Sequence, residues 1–365
     1  MSQTAPDSTA FTELPIVDLA RWRGSDTERR SLATEVADVC HHVGFFVVVG
    51  HEIDSAFIDS VFSMMRDLFA LPDHEKARID KRHSRHFRGW EAVGTEFTNN
   101  RPDIREQVDL WSERPAREPD VEPAYLRLLG PNQWFSDEVL PGSAAIMRRW
   151  FAEMGALADE LLGVLSLGLE LDEEYLSQMF GDEPMSLTKL IRYPPTPTGS
   201  AGVNAHHDTG FLTLLVPGER PGLQIENPAG EWIAAPSVPG GFIVNLGEML
   251  QGLTGNYFTA TPHRVITSDI RYSAGYFHGP SLDTPLALLP LAERFGAAVA
   301  ASPRHAEAGF MASAAETEAG VGDMQSSQRA AVYGEQLWNY FTRSYPDLVA
   351  AHYSDQHSDE SRGRR

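Results

Sequence analysis

Two histidines and one aspartate are the residues of this chain best suited to hold a metal ion. His206 and Asp208 lie two positions apart, with His207 between them. In an extended strand alternate side chains share a face, so His206 and Asp208 point the same way and His207 points away. A second imidazole then comes from a distant strand, and His263 is the candidate. Two imidazoles and a carboxylate form the facial triad of non-haem Fe(II) sites, which leaves positions open for a substrate and O₂.

The pair His206-x-Asp208 is a weak signal by itself, because the chain has 13 histidines. Its flanks strengthen it: a turn and an apolar run follow over 209–216, and a second run rich in Thr and apolar residues surrounds His263. The same donors also suit Zn²⁺, which would activate a water molecule. The triad therefore predicts a metal site, and the choice between Fe(II) and Zn²⁺ depends on its neighbours.

A predicted carboxylate anchor follows His263 along the chain. Arg271 and Ser273 are two positions apart, so on a strand they share a face. A guanidinium fork with a hydroxyl beside it suits a carboxylate. A metal triad with such an anchor nearby favours Fe(II) over Zn²⁺ and is more specific than either feature alone.

Short strands are predicted to position these residues. After Pro194, runs of Val, Ile, Leu, Phe and Thr alternate with Gly, Pro and Asn up to about Gly279. Strands are predicted at 212–216, 223–226, 231–234, 242–246, 263–267 and 273–277. Regular short strands with turn signals indicate a sandwich or barrel, and closing such a sheet brings distant strands to one mouth.

The rest of the chain is predicted to be mainly helical. Apolar residues recur at helical spacing over 32–43, 58–69, 143–169 and 325–345, and strands are predicted at 13–20 and 45–49. Gly44 is expected to end the first of these helices, and Pro72 follows the second. The segment 296–322 is open to two interpretations, a loop over the active site or a short helix with a linker.

Composition excludes several classes of function. A formal net charge of −21 argues against a nucleic-acid partner, because phosphate contacts need clustered Lys and Arg. No apolar run is long enough to span a membrane, and the polar start is unlike a secretory signal. The single cysteine, Cys40, allows no internal disulfide and is expected to be a buried apolar residue of a cytoplasmic protein. The tails 1–12 and 354–365 are expected to be disordered.

Over roughly residues 13–350 the chain resembles the isopenicillin N synthase-like family of Fe(II)- and 2-oxoglutarate-dependent oxygenases. The motifs that carry the resemblance, beside the triad and the anchor, are Leu14–Leu19, Cys40–His51, Leu68–Pro72, Arg192–Pro195 and Val244–Leu250. The resemblance implies an α+β chain with a mainly β core, a double-stranded β-helix of the jelly-roll or cupin-like type. It implies an N-terminal helical and strand region at 13–185, the jelly-roll core at 186–285, and a C-terminal loop and helix at 286–350.

The resemblance also implies roles for individual residues. His206, Asp208 and His263 would bind Fe(II), and Arg271 with Ser273 would bind the 2-oxoglutarate co-substrate. Tyr193 falls where many relatives have a tyrosine that contacts the co-substrate. Ile191 stands where relatives often have an asparagine.

The implied activity is oxidation of a small organic molecule by hydroxylation, desaturation or cyclisation, with O₂ consumed and succinate and CO₂ released. An oxidase of isopenicillin N synthase type, which uses no 2-oxoglutarate, stays open, because there the Arg-x-Ser pair holds the substrate's own carboxylate. An ethylene-forming variant and a catalytically silent binding protein are further alternatives. The sequence does not indicate the oligomeric state.

A polar segment before the barrel has two interpretations. Residues 85–91 form a basic and aromatic run, and Glu96, Arg101, Arg105 and Gln107 follow it. In relatives this region lies over the pocket mouth, so one interpretation is that it selects the substrate. The other is a solvated loop with ordinary ion pairs.

Overall fold

The computed structural model describes residues 10–98, 101–181, 183–197, 200–307 and 331–353. The strands are β1 (Ile16–Asp18), β2 (Phe45–Val49), β3 (Gly89–Glu91), β4 (Phe97–Thr98), β5 (Arg101–Pro102), β6 (Glu106–Trp111), β7 (Leu187–Tyr193), β8 (Ser200–His206), β9 (Leu212–Pro217), β10 (Leu223–Glu226), β11 (Trp232–Ala234), β12 (Phe242–Leu246), β13 (His263–Thr267) and β14 (Arg271–His278). The helices are α1 (Asp26–His42), α2 (Ser55–Ala70), α3 (Asp73–Lys76), α4 (Ser143–Gly168), α5 (Tyr175–Gln178), α6 (Glu248–Leu253), α7 (Glu293–Ala301), α8 (Pro303–Glu307), α9 (Tyr333–Ser344) and α10 (Pro346–Tyr353).

Two antiparallel-rich sheets form the core. The larger has the strand order β1-β2-β12-β9-β14-β7-β6-β3, and the smaller has the order β11-β10-β13-β8. Apolar side chains from both sheets pack in one cluster, which includes Phe45, Val47 and Ile191 of the larger sheet and Val203 and Ile225 of the smaller. The two sheets therefore face each other across a shared interior, and the predicted mainly β jelly-roll core is confirmed.

The helices cover the outer face of the larger sheet. In α4 a buried stripe that includes Trp150, Leu157 and Leu161 packs inward, and the Trp150 indole donates a hydrogen bond to Thr188 of β7. Helix α1 packs against α4. Its first turn carries a capping box, in which the Ser25 hydroxyl and the Glu28 carboxylate satisfy each other's backbone N–H groups.

A glycine fixes the turn from α1 into the barrel. Gly44 has φ +70°, and a Cβ there would lie 2.2 Å from the carbonyl oxygen of Thr259. Only glycine fits this left-handed position without displacing the backbone. Strand β2 then enters the larger sheet, pairing with β1 and β12.

Most predicted elements are present with small differences in their bounds. The predicted helix 325–345 is α9, which begins at Tyr333, and 325–330 lie outside the described residues. In the segment 296–322, α7 and α8 account for positions up to 307, which is the short-helix interpretation, and 308–322 lie outside the described residues. Of the predicted tails, 1–9 and 354–365 lie outside them as well. Among the described residues, no helix has the length and apolar character needed to cross a membrane.

Candidate metal centre

The three predicted metal ligands lie together at the mouth of the barrel. His206 is the last residue of β8, His263 is the first residue of β13, and the two are register partners in the smaller sheet. Asp208 lies in the connection between β8 and β9. One ligand atom from each of the three lies within 4.8 Å of the others. Asp208 Oδ1 is 3.7 Å from His206 Nε2 and 3.6 Å from His263 Nε2.

The atoms of these side chains that face away from the centre are already engaged. Nδ1 of His206 lies 2.9 Å from the backbone oxygen of Asn204, and Nδ1 of His263 lies 3.2 Å from that of Thr261. A backbone carbonyl only accepts, so each Nδ1 carries the proton and each Nε2 is left with its lone pair. Both free imidazole nitrogens are therefore of the kind that binds a metal.

The carboxylate is oriented in the same way. Oδ2 of Asp208 accepts hydrogen bonds from the Thr213 hydroxyl at 2.6 Å and from the Asn245 amide at 2.7 Å. Thr213 on β9 and Asn245 on β12 are register partners, so their side chains reach Asp208 from the same face of the larger sheet. Oδ1 is therefore left for the metal. Thr213 and Asn245 do not touch the metal themselves but hold the carboxylate in the orientation that binds it.

Burial and mutual charge set the protonation of the triad. Burial lowers the pKa of His206, and it lowers that of His263 to about 4, so both imidazoles are neutral at pH 7. Burial acts to raise the pKa of Asp208. The neighbouring imidazoles of His263 and His206 and the two hydrogen bonds outweigh it, so the pKa lies below its usual value. Two neutral imidazoles and a carboxylate are the forms that a divalent cation requires.

The donor set fits an ion. If a cation lies about 2.1 Å from each ligand atom, any two ligand atoms can be at most about 4 Å apart. Asp208 Oδ1 is 3.7 Å from Nε2 of His206 and 3.6 Å from Nε2 of His263, so both distances meet this limit. His207 is not part of this group, as its strand parity predicted.

The predicted carboxylate anchor is buried on the inner face of the larger sheet. Arg271 and Ser273 lie on β14, with Nη1 of Arg271 3.3 Å from Ser273 Oγ. Tyr193 on β7 is the register partner of Arg271, and the guanidinium lies 5.0 Å from its ring centroid. Arg271 is only 1% exposed, yet no carboxylate of the described residues lies within 4.0 Å of it. A buried cation without a counter-ion is costly, so this site fits an external carboxylate.

Several residues near the triad were not predicted as part of it. Thr213 lies in a strand whose sequence signal is its apolar residues. For Asn245 the sequence leaves two roles open, a contact at the site or support of backbone groups at a strand end, and the structure shows the contact with Asp208. Glu248 is also close, and burial followed by the charge of Asp208 raises its pKa to about 7. The spacing of these residues in the sequence does not indicate their role, because each comes close to Asp208 only through the pairing of strands and the path of the connecting segments.

Much of the polar segment at 85–107 is buried, although Arg101 and Pro102 of β5 are exposed. Arg88, Glu91, Glu106 and Gln107 are all buried, and β3 and β6 extend the larger sheet at its end. Asp103 of the same segment accepts hydrogen bonds from the backbone and side chain of Asn204, the residue whose carbonyl holds His206. The segment is therefore part of the wall next to the triad.

Comparison with known proteins gives matches over most of the chain. Residues 14–137 match the family described as non-haem dioxygenase in morphine synthesis N-terminal, and residues 182–280 match the 2OG-Fe(II) oxygenase superfamily. A 2-oxoglutarate-dependent dioxygenase of Dothideomycetidae sp. (strain 11243) is 31% identical over 75% of this chain and 76% of its own length. A homoarginine-6-hydroxylase of Arabidopsis thaliana is 30% identical over 76% of this chain and 87% of its own length.

A solved structure agrees with these matches. The structure of JOX2 in complex with 2OG, Fe and JA aligns with a TM-score of 0.63 and 25% identity, covering 78% of this chain and 80% of that one.

Proposed function

The chain belongs to the isopenicillin N synthase-like superfamily of Fe(II)- and 2-oxoglutarate-dependent oxygenases, and from that membership we propose where and on what it acts. It is a 2-oxoglutarate-dependent dioxygenase, an oxidoreductase that uses Fe(II) and O₂. The proposed metal ligands are His206, Asp208 and His263. The observation that carries this assignment is the convergence of their three free ligand atoms, with every other polar atom of the triad engaged by the protein.

Co-substrate binding is assigned to Arg271, Ser273 and Tyr193. The Arg271 guanidinium offers a fork of N–H donors, and the Ser273 hydroxyl can donate to the same carboxylate. The Tyr193 ring lies beside the guanidinium and limits its movement, so less side-chain freedom is lost when the anion binds. When bound, Fe(II) and 2-oxoglutarate supply the oxidising chemistry: O₂ is consumed, 2-oxoglutarate becomes succinate and CO₂, and a substrate C–H bond is oxidised.

The protein contributes position and protonation state. The carbonyls of Asn204 and Thr261 fix the imidazole tautomers, and Thr213 with Asn245 fixes the carboxylate, so the triad needs little reorganisation when the metal enters. Burial on the inner face of the sheet excludes bulk water from Arg271 and strengthens its attraction for an anion.

We further propose that the prime substrate is a small organic molecule, which is hydroxylated, desaturated or cyclised. The relatives support this size class, since one is named for homoarginine and the structure of another holds JA. The Arg271 and Ser273 pair alone would also suit a substrate carboxylate in an oxidase that uses no 2-oxoglutarate. The names of the relatives favour 2-oxoglutarate as the anion. A cytoplasmic location, and a division into 13–185, 186–285 and 286–350, remain parts of the proposal.

The test is Fe(II)-dependent formation of succinate from 2-oxoglutarate, measured with and without added iron, together with the dissociation constant of Fe(II) under anaerobic conditions. Asp208→Ala should abolish succinate formation and weaken iron binding. The unfolding temperature of the apo-protein should not change. His207→Ala is the matched control, because its side chain lies outside the triad, and it should bind iron like the wild type. Full activity of Asp208→Ala would contradict the assignment.

A further inference from the structure

A chain of alternating charges lies largely buried in the barrel wall next to the metal centre. Its members, which we call the inner charged chain, are Glu91, Lys81, Asp109, Lys189, Glu96, Arg105 and Asp103, in order of contact. Lys81 contacts Glu91 and lies 2.7 Å from Asp109, and Lys189 bridges Asp109 at 3.2 Å and Glu96 at 3.1 Å. Arg105 then joins Glu96 at 2.6 Å to Asp103 at 3.1 Å.

Strand register places this chain on the same face as the co-substrate anchor. Asp109 on β6 pairs with Lys189 on β7, which pairs with Gly275 on β14. One row away, Gln107 pairs with Ile191, which pairs with Ser273. Since residues in register across a sheet share a face, Gln107 and Asp109 project into the barrel interior as Ser273 does.

Two acceptor atoms of this wall have no donor. Oδ1 of Asp109 and Oε1 of Gln107 are buried and have no hydrogen-bond partner among the described residues. Asp109 is 3% exposed and Gln107 is 1% exposed, so bulk water does not serve them. The two residues are successive members of one face of β6, so both acceptors belong to the same stretch of the inner wall. Buried acceptors without donors are costly, and their persistence indicates a ligand that brings N–H groups.

The charge of the wall indicates the sign of that ligand. The inner charged chain begins and ends with a carboxylate, so its four acids outnumber its three bases by one when all are ionised. Burial raises the pKa of Asp103, and the charge of Arg105 opposes this effect. Nε of Arg105 also lacks an acceptor, but its guanidinium already meets two carboxylates. One added cation would make the wall neutral.

We propose that the substrate of this oxygenase carries a cationic nitrogen group (an ammonium, amidinium or guanidinium) that donates N–H bonds to Asp109 Oδ1 and Gln107 Oε1. This inference rests on the proposed function, because it places the substrate beside the triad. Asp109 is then a specificity-determining residue. Its Oδ2 is held by Lys81 and Lys189, which fixes the direction of the free oxygen.

Aromatic residues at the end of α9 complete the wall. Tyr345, which follows α9, lies with its hydroxyl 3.0 Å from Nζ of Lys81 and its ring 4.7 Å from the same atom. Phe341 of α9 packs against Trp111 of β6. Trp111 shares the face of β6 that carries Gln107 and Asp109, so α9 packs over this inner face. It keeps the ion pairs of the inner charged chain in a setting of low dielectric, where a charged substrate group is recognised strongly.

The experiment compares cationic compounds with neutral isosteres on the Fe(II)-loaded enzyme. The probes are pairs matched in size, L-arginine with L-citrulline and L-homoarginine with L-homocitrulline, plus ω-amino acids of increasing length. Two quantities are measured: the dissociation constant by anaerobic calorimetry with 2-oxoglutarate present, and the stimulation of succinate formation in air. We expect at least one cation to bind and stimulate, and its neutral partner to bind about 10- to 100-fold more weakly, the effect of losing a charge-assisted hydrogen bond.

Asp109→Asn should remove most of this discrimination, and Glu106→Gln is the matched control. Glu106 is equally buried on the same strand, and its carboxylate also bridges two cations, Lys76 and Arg192, but on the opposite face of the sheet. Glu106→Gln should therefore lose comparable stability and keep the preference for the cation. If Asp109→Asn fails to fold, Gln107→Met removes the other acceptor without deleting an ion pair and should weaken the cation alone.

Three results would overturn the inference. They are equal binding of cations and their neutral isosteres, equal effects of Asp109→Asn and Glu106→Gln on the dissociation constant, and no response to any cation by an enzyme with normal Fe(II)-dependent succinate formation. Absence of that basal succinate formation in the wild type would instead refute the proposed function, and this inference with it.

Discussion

The side-chain amide of Asn245 donates a hydrogen bond of 2.7 Å to Oδ2 of Asp208. Thr213, the register partner of Asn245, donates a second bond of 2.6 Å to the same oxygen. Both donors come from the larger sheet, whereas His206 and His263 come from the smaller one. The carboxylate therefore joins the two sheets at the mouth of the barrel, and its direction depends on two side chains that do not touch the metal.

Loss of either donor should weaken the metal site without unfolding the barrel. Thr213→Val or Asn245→Leu removes one bond that orients Asp208, so Fe(II) affinity should fall about 10- to 100-fold. The measurement is an anaerobic Fe(II) titration, with thermal unfolding of the apo-protein alongside. Thr196→Val is a control, because it removes a hydroxyl that bonds to the backbone of Thr267. Unchanged iron affinity in both triad-side variants would show that they do not orient the ligand.

Arg271→Met should raise the KM for 2-oxoglutarate by about 10- to 100-fold, because a hydrogen bond to a charged group is lost from a buried site. Iron affinity should stay at the wild-type value. Arg264→Met is the matched control: Arg264 lies on β13, half-buried over the ring of Trp232, and should leave this KM unchanged. An unchanged KM in Arg271→Met would move the residue to a structural or prime-substrate role.

Gly202→Ala should disturb the co-substrate site from the opposite sheet. A Cβ at Gly202 would lie 2.5 Å from Cδ1 of Tyr193, the ring that packs against Arg271. Such overpacking typically costs about 1–3 kcal/mol of unfolding free energy, and here it also shifts the guanidinium. We expect a raised KM for 2-oxoglutarate together with reduced stability, measured by steady-state kinetics and chemical denaturation. Reduced stability with a normal KM would show that Tyr193 does not position Arg271.

His86 should make the protein less stable in acid. Burial, followed by the charges of Arg88 and Arg85, lowers its pKa from 6.5 to about 4, against the hydrogen bond at the Arg127 carbonyl. Above pH 6.5 the imidazole is neutral in both the folded and the unfolded chain and costs no stability. Between pH 6.5 and about 4 the unfolded chain binds a proton that the folded chain does not, so the unfolding free energy falls as the pH falls through this window. His86→Gln should flatten the dependence of unfolding free energy on pH in that window. His74→Gln, at an exposed position, should leave the slope as it is.

The sequence predicted the core strands because the residues that end them are close neighbours in the chain. Glycine or proline lies close to both ends of 223–226 and 242–246, and Pro262 directly precedes 263–267. The observed strands β10, β12 and β13 have these bounds. The twofold alternation along a strand also placed His206 with Asp208 and excluded His207. Both inferences need only neighbouring residues, which is why they succeed without knowledge of the fold.

The inner charged chain could not be predicted in the same way. Lys81 reaches Asp109 across 28 positions, and Lys189 reaches it across 80, and neither separation has a local signature. The contacts depend on β6 pairing with both β3 and β7, which is a property of the completed sheet. The sequence indicated only that 85–107 is rich in charge, whereas the structure shows that Arg88, Glu91, Glu106 and Gln107 of this segment are buried.

The most direct test of the account is the visible spectrum of the protein loaded anaerobically with Fe(II) and then with 2-oxoglutarate. If His206, Asp208 and His263 hold the iron and leave positions free, 2-oxoglutarate should bind it through two atoms and give a weak metal-to-ligand charge-transfer band. Asp208→Ala should show no band, and Arg271→Met should need more 2-oxoglutarate to reach it. A wild-type protein that binds iron and 2-oxoglutarate without developing the band would contradict the account.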